Sequence, residues 1–213
     1  MKVAILSESP ADEAAIRILV RGLLAVEIEV IPRRARPGGW YAAIEAISPT
    51  LKELHYRRTA SALVVVLDSD NSPIHRAEHG RAGMEDEKCR VCQVQRMIAG
   101  VQQSLTRQPA QQPVDTAVAV AVPAIEAWYL CGREGDCTEA GWDMRQQAGT
   151  KSRSEIARLK RLVYGTDRPS IELETAKATE FANELVQDLS VLESYFPISF
   201  GRFAAEVRSW LPR

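Results

Sequence analysis

Four short apolar runs, each separated from the next by a longer segment of helical periodicity, constrain this chain more than anything else in its sequence. The runs are Val3 to Leu6, Ile28 to Ile31, Ala62 to Leu67 and Thr116 to Val122, and the third carries Val64-Val65-Val66. Strands that stay apolar at consecutive positions are covered on both faces, as in a parallel sheet. Between them, Pro10 to Leu24 places Ile16, Leu19, Val20, Leu23 and Leu24 at helical spacing. Trp40 to Arg58 does the same with Ile44, Ile47, Leu51 and Leu54, interrupted by Pro49, and Glu85 to Leu105 with Val91, Val94, Met97, Ile98, Val101 and Leu105. This alternation predicts an α/β fold: a four-stranded, mostly parallel sheet flanked by helices and joined by right-handed crossovers.

After Leu130 the pattern changes. Gly132 to Gly149 reads as a connector, and helical patterns follow at Glu155 to Val163, Glu174 to Leu192 and Phe200 to Leu211. The expected organisation is an α/β domain over residues 1–135 with a C-terminal helical cap over 136–213. Twenty-seven basic residues against 28 acidic ones leave a formal charge of -1. That balance excludes nucleic-acid binding through bulk charge and leaves local patches or metal ions. The first apolar run is too short for a signal-peptide core, and no run approaches the roughly 18 residues that span a bilayer. Four cysteines do not make a disulfide scaffold. The expectation is a cytoplasmic, reduced protein with no membrane partner.

In open parallel sheets, ligands bind outside the carboxyl ends of the strands. The first run ends at Glu8, the third at Asp68-Ser69-Asp70, and Glu126 follows the fourth by a few residues. Two aspartates at i and i+2 of an extended chain project to one side, and Glu8 approaches them if the first and third strands are neighbours. Crowded carboxylates repel unless a cation neutralises them, so a hard oxygen site for Mg²⁺ or Mn²⁺ is the natural resolution. Bland readings stand beside this one. Glu8 could be a solvated strand end, and Asp68 and Asp70 could cap a turn. Glu126 could answer a helix dipole, and Ser9-Pro10-Ala11-Asp12 fits a helix start in which Ser9 and Asp12 form a capping box.

The string Leu6-Ser7-Glu8-Ser9-Pro10-Ala11-Asp12-Glu13, followed by Asp68-x-Asp70, resembles the TOPRIM domain of topoisomerases, primases and OLD-type nucleases. Pro123 to Leu130, containing Glu126-Ala127-Trp128, is similar to a Glu-Ala-Trp motif in a group of bacterial TOPRIM-like proteins. Some of that group are encoded beside ATPases and suspected of anti-phage roles. The resemblance covers about residues 1–131. It implies a Mg²⁺-dependent, nuclease-like activity with Glu8 as ligand and general acid/base. Asp68 and Asp70 would be the metal-binding pair, Asp12 a second acidic ligand, Glu126 a further ligand and Lys151 a basic group near the scissile phosphate. It also implies nucleic acid as partner, DNA rather than RNA, and a separately encoded ATPase. The family usually places glycine after the first glutamate; Ser9 stands here. A catalytically degenerate module serving as a binding or scaffolding subunit is the alternative.

A second metal question arises from His75 and His79, with three residues between them, and Cys89 and Cys92, with two between them. Both half-spacings are those of tetrahedral, structural Zn²⁺ sites, although cysteines near a helix start also serve as small core residues. Arg33, Arg34 and Arg36 follow the second run, and Lys151, Arg153, Arg158, Lys160 and Arg161 mark the first cap helix. Such runs are solvated faces unless they border the carboxylates, where they would position phosphates. The nucleic-acid-binding candidates are Arg33, Arg34, Arg36 and Arg153. The chain has no Walker A string, no Gly-x-Gly-x-x-Gly after a strand and no Gly-x-Ser-x-Gly elbow.

Overall fold

A computed structural model of the chain describes residues 1–32, 39–80, 87–106 and 112–211. The four apolar runs become β1 (Lys2–Leu6), β2 (Glu29–Pro32), β3 (Ala62–Asp68) and β4 (Asp115–Ala121). They form one sheet in the order β2-β1-β3-β4, and all three pairings are parallel. The carboxyl ends of β1, β3 and β4 therefore share one edge.

Strand alternation distributes the apolar side chains between two buried layers. Val3, Ile5, Val64, Val66, Ala117, Ala119 and Ala121 face one core, shared with α1 (Pro10–Leu24) and the C-terminal helices. Ala4, Leu6, Leu63, Val65, Leu67 and Val118 face the other, covered by α2 (Gly39–Arg57) and α3 (Arg90–Ser104). Consecutive apolar residues were the sign of this two-sided cover. Pro49 lies inside α2 without ending it. Its side chain is exposed, so water can solvate the carbonyl that loses its intrahelical partner.

Beyond β4 come α4 (Glu126–Tyr129), α5 (Glu139–Gln147), α6 (Ser152–Tyr164), α7 (Ile171–Leu185), α8 (Leu189–Tyr195) and α9 (Arg202–Arg208). The expected connector contains α5, whose N-cap Thr138 accepts the Gly141 N–H at 2.9 Å. The single helix expected over Glu174 to Leu192 is two, because Asp188 starts α8 by accepting the Ser190 N–H. The last expected helix begins with a π-helical turn, Pro197–Gly201, before α9. The third helix starts at Arg90 rather than Glu85, with Cys89 as its N-cap. Arg33, Arg34, Arg36 and most of the Gln108 to Pro113 turn lie outside the described residues.

The C-terminal helices share the core of the sheet. Phe200 and Phe203, both fully buried, join Trp128 on the alanine face of β4, and the Trp128 and Phe200 rings meet edge-on at 5.2 Å. α7 packs along α1. Gly22 permits close approach there: a methyl group in its place would fall 2.8 Å from Val186 Cγ1. α9 also satisfies β4 on the side away from β3. The Val118 N–H donates to Glu206 Oε2 at 2.9 Å, and the Val118 carbonyl accepts from Arg202 at 3.1 Å. An edge strand so engaged cannot template pairing with another chain. Phe203→Ala should cost about 3–5 kcal/mol. Chemical denaturation followed by near- and far-ultraviolet circular dichroism should show one transition at lower denaturant, because cap and sheet unfold together.

Candidate functional site

The shared edge collects the carboxylates. β1 and β3 are neighbours, and the Asp68 N–H at the end of β3 donates to Glu8 Oε1 at 2.8 Å. The Trp40 N–H, in the first turn of α2, also donates to Glu8. Gly39, with φ of 59°, starts that turn, and a Cβ there would sit 3.4 Å from Glu8 Oε2. Asp68 Oδ1 accepts the Ile125 N–H at 2.9 Å, which ties β3 to the segment after β4. Ser9 caps α1 by accepting the Asp12 N–H at 3.1 Å, and its hydroxyl donates to the Asp12 carboxylate. Ser9 is therefore the N-cap of α1, and this helix start places the Asp12 carboxylate where Glu126 and Glu8 act on it and where it acts in turn on Asp68.

Glu126 opens α4, a single turn, and is buried rather than answering a dipole at the surface. Its Oε1 accepts the Tyr164 hydroxyl at 3.3 Å and lies 3.8 Å from Lys160 Nζ. Its Oε2 is buried without a hydrogen-bond partner among the described residues, as is the Tyr129 hydroxyl, which feels the charges of Asp12, Glu126 and Asp68. Lys160 and Tyr164 are four apart on α6 and so share a face. Lys160 also pairs with Glu174 Oε1 of α7 at 3.2 Å.

Burial and mutual repulsion raise the carboxyl pKa values. Asp12 is pushed up to about 7, by burial first and then by Glu126. Asp68 is raised well above the usual range by burial, Glu126 and Glu8. Glu8 is raised by burial, against the Asp68 N–H and with help from Asp70. Burial raises Glu126 despite Lys160. Burial works against the charge of Lys160 itself, but Glu126 and Glu174 outweigh it and raise that pKa. The oxygen donors suit a hard divalent cation, which would relieve this repulsion.

Asp70 departs from the expected geometry. β3 ends at Asp68, and Asp70 has a φ of 46°, so strand alternation does not carry both aspartates to one side. Asp70 Oδ2 instead pairs with Arg90 Nη1 at 3.1 Å, and the same guanidinium donates to the Asp68 carbonyl and lies 4.2 Å from the Trp40 ring centroid. Trp40, Asp70, Asn71, Arg90, Ser152, Arg153 and Ile156 line an open cleft of about 540 Å³ beside the carboxylates. Arg153 thus reaches the site's rim, and Lys151, the N-cap of α6, precedes Ser152 of the same lining. Arg158 is instead held by Glu155 and Asp136, and Arg161 pairs with Asp167. Arg90, Lys160, Glu174, Tyr129, Tyr164 and Trp40 also stand at this acidic edge. Of these, the sequence marks only Lys160 for possible chemistry, as one of the basic residues of the first cap helix.

The four metal-type side chains beyond β3 also come together. His75, His79, Cys89 and Cys92 place one ligand atom each within 4.8 Å of one another and could hold a metal ion. Among the described residues it is the one group of three or more His, Cys, Asp or Glu side chains gathered this closely. Both thiols lie 3.5 Å from His75 Nδ1. A single ring nitrogen carries one lone pair or one proton and cannot satisfy both. His75, pushed down to about 4 by burial, Arg202 and His79, stays neutral as a ligand must. His79 Nδ1 is buried without a hydrogen-bond partner among the described residues. Cys131 and Cys137, by contrast, are buried thiols pushed up to about 11.

No family model, curated protein or solved structure matches the chain. Among the described residues, no helix is long and apolar enough to cross a membrane.

The raised carboxyl pKa values fix the sign of a pH effect. A carboxyl that binds its proton more tightly when folded stabilises the fold at low pH, and this contribution is lost as pH rises through the folded value. The metal-free protein should therefore lose stability between about pH 4 and pH 7, the span from the ordinary Asp value to that of Asp12. Asp12→Asn should raise the melting temperature at pH 8 and flatten the profile. Each 1 kcal/mol regained would appear as about 2–4 °C in a chain of this size.

Proposed function

We propose that this chain is a TOPRIM-like, Mg²⁺- or Mn²⁺-dependent phosphodiester-processing protein that acts on nucleic acid, DNA rather than RNA. The observation that carries this reading is the buried, unpartnered Glu126 Oε2 beside the mutually repelling carboxylates of Asp12 and Asp68. When bound there, a divalent ion supplies Lewis-acid charge to phosphoryl oxygens and lowers the pKa of water. Glu8, held by two backbone N–H groups, serves as ligand and general acid/base. Asp12, Asp68 and Glu126 complete the hard oxygen set, with Asp70 at its rim. Lys160 holds Glu126 in place, while Arg153 in the cleft lining and Lys151 at the N-cap of the same helix contact backbone phosphates. Arg33, Arg34 and Arg36, which follow β2 in the sequence and lie outside the described residues, are further candidates for phosphate contact. The motif resemblance adds a separately encoded ATPase as partner and a role in phage defence.

Plasmid and single-stranded DNA incubated with Mg²⁺ or Mn²⁺ should be nicked by the wild type and left intact by Glu8→Gln and Asp68→Asn. Lys160→Met should weaken Mn²⁺ binding about 10–100-fold, as loss of an outer partner of a ligand does. Metal-independent nicking, or nicking retained by both carboxyl variants, would sink the reading.

We further propose that the His75, His79, Cys89 and Cys92 cluster holds structural Zn²⁺. Zn–S of about 2.3 Å and Zn–N of about 2.0 Å at a tetrahedral angle imply S···N separations of about 3.5 Å. The two Cys–His75 distances, each 3.5 Å, support that geometry. Tag-free protein should contain about one equivalent of zinc by elemental analysis. Cobalt substitution should give thiolate-to-metal charge-transfer bands that Cys92→Ser abolishes.

Two observations favour a second reading, a degenerate module that scaffolds a partner ATPase. The carboxylates are not gathered as closely as the His and Cys atoms, and Ser9 takes the place usually held by glycine. Such a protein would co-purify with its ATPase and cleave nothing once the ATPase site is disabled.

A further inference from the structure

We propose that Arg90 is a positioning residue for the acidic edge and that the metal at the His75, His79, Cys89 and Cys92 cluster holds it in place. The inference rests on the two metal readings above and assigns the cluster a task beyond local stability.

The two sites share a segment. His75 follows the Asp68–Ser72 turn closely, and Arg90 sits between the paired ligands Cys89 and Cys92 at the start of α3. A metal bound by all four side chains would staple the loop after β3 to the N-terminus of α3. Ser72 also joins these pieces. The Arg90 N–H donates to Ser72 Oγ at 2.9 Å, and Ser72 Oγ donates to the Lys88 carbonyl at 3.2 Å. The apolar contact at this point is a small satellite cluster of Cys89, Val91, Cys92 and Val120, in which half the members are the ligands themselves.

From this anchored backbone the Arg90 side chain reaches three partners at once. It donates to the Asp68 carbonyl, pairs with Asp70 Oδ2 at 3.1 Å and stacks on Trp40. Each lies on a different element: the end of β3, the turn after it and the first turn of α2. Trp40 and Asp68 are also the residues whose N–H groups hold Glu8. A planar guanidinium can satisfy such a set only from one position, and lysine lacks the fork to do so. Loss of the metal would free the α3 start to drift, and the Arg90 contacts with Asp68 and Asp70 would loosen with it.

The test uses wild-type protein stripped of zinc by a chelator and reloaded, with Arg90→Lys, Arg90→Gln and Cys92→Ser beside it. Mn²⁺ alone is titrated and its free fraction read by electron paramagnetic resonance. Arg90→Gln should keep its zinc and melting temperature yet bind Mn²⁺ about 10–100-fold more weakly, and Arg90→Lys should restore only part of that loss. Zinc removal and Cys92→Ser should give the same weakening, and adding Arg90→Gln to Cys92→Ser should weaken binding no further. Cys131→Ser should change nothing. Hydrogen exchange gives a reading independent of Mn²⁺: zinc removal should speed exchange across residues 68–72 as well as at the ligands. If wild type binds no Mn²⁺, the proposed activity fails while exchange still decides this inference. Unchanged exchange at 68–72 without zinc, or zinc-free protein with full Mn²⁺ affinity, would overturn it. So would elemental analysis finding no zinc, with the acidic-edge reading left intact.

Discussion

Repulsion among buried carboxylates at one edge of the sheet is the constraint around which the rest of the structure is arranged. Glu8 and Glu126 raise the pKa of Asp12, and all three raise that of Asp68. Concentrated negative charge of this kind is destabilising unless something answers it. Hydrogen bonds answer part of it, through the N–H groups of Asp68, Trp40 and Ile125. Two cations answer more, Lys160 at the Glu126 end and Arg90 at the Asp70 end. Both come from helices, α6 and α3, that must be placed accurately for the charge to help. The cap is thus part of the site rather than an appendage to it, since α6 supplies Lys160 and Tyr164 and α7 supplies Glu174.

The core of the sheet was legible in the sequence because its cause is local. Val64-Val65-Val66 and the alternating Ala and Val of β4 announce strands buried on both faces, and four parallel strands must share one carboxyl edge. Glu8, Asp68 and Glu126 could be placed there without further information. Lys160 and Arg90 could not, because their roles depend on which helix faces which strand end, and no spacing along the chain encodes that. Arg90 lies between two cysteines in the sequence, and nothing in its neighbours marks it. Its burial follows from partners 20 and 22 residues away.

Asp70 shows how a local rule misleads when its premise ends early. The i, i+2 argument assumes extended backbone, yet the chain turns into the left-handed region at Asp70. That turn is held by Pro123, whose carbonyl accepts the N–H groups of Ser69 and Asp70, each at 3.1 Å. The same turn points the chain toward Asn71, Ser72 and His75, so the departure that separates Asp70 from Asp68 also carries the chain into the His and Cys cluster. The helix breaks at Asp188 and Pro197 were likewise hidden from periodicity, which reports a face and not its interruptions.

The two clusters divide the ligand types as metal chemistry would. The carboxylates offer only oxygen, which suits ions that exchange water and phosphate and keep open positions. The His and Cys side chains offer two nitrogens and two sulfurs around a closed point, which suits a d¹⁰ ion that takes no part in turnover. Arg90 lies between them, with its backbone in the second cluster and its guanidinium at the edge of the first. A metal bound at the second cluster, as proposed, would limit how far the Asp68–Ser72 turn can drift under the repulsion it carries. Flexible backbone there would let the carboxylates relax apart and lower their affinity for any cation. On that proposal, stiffness at the second cluster is a condition for charge density at the first.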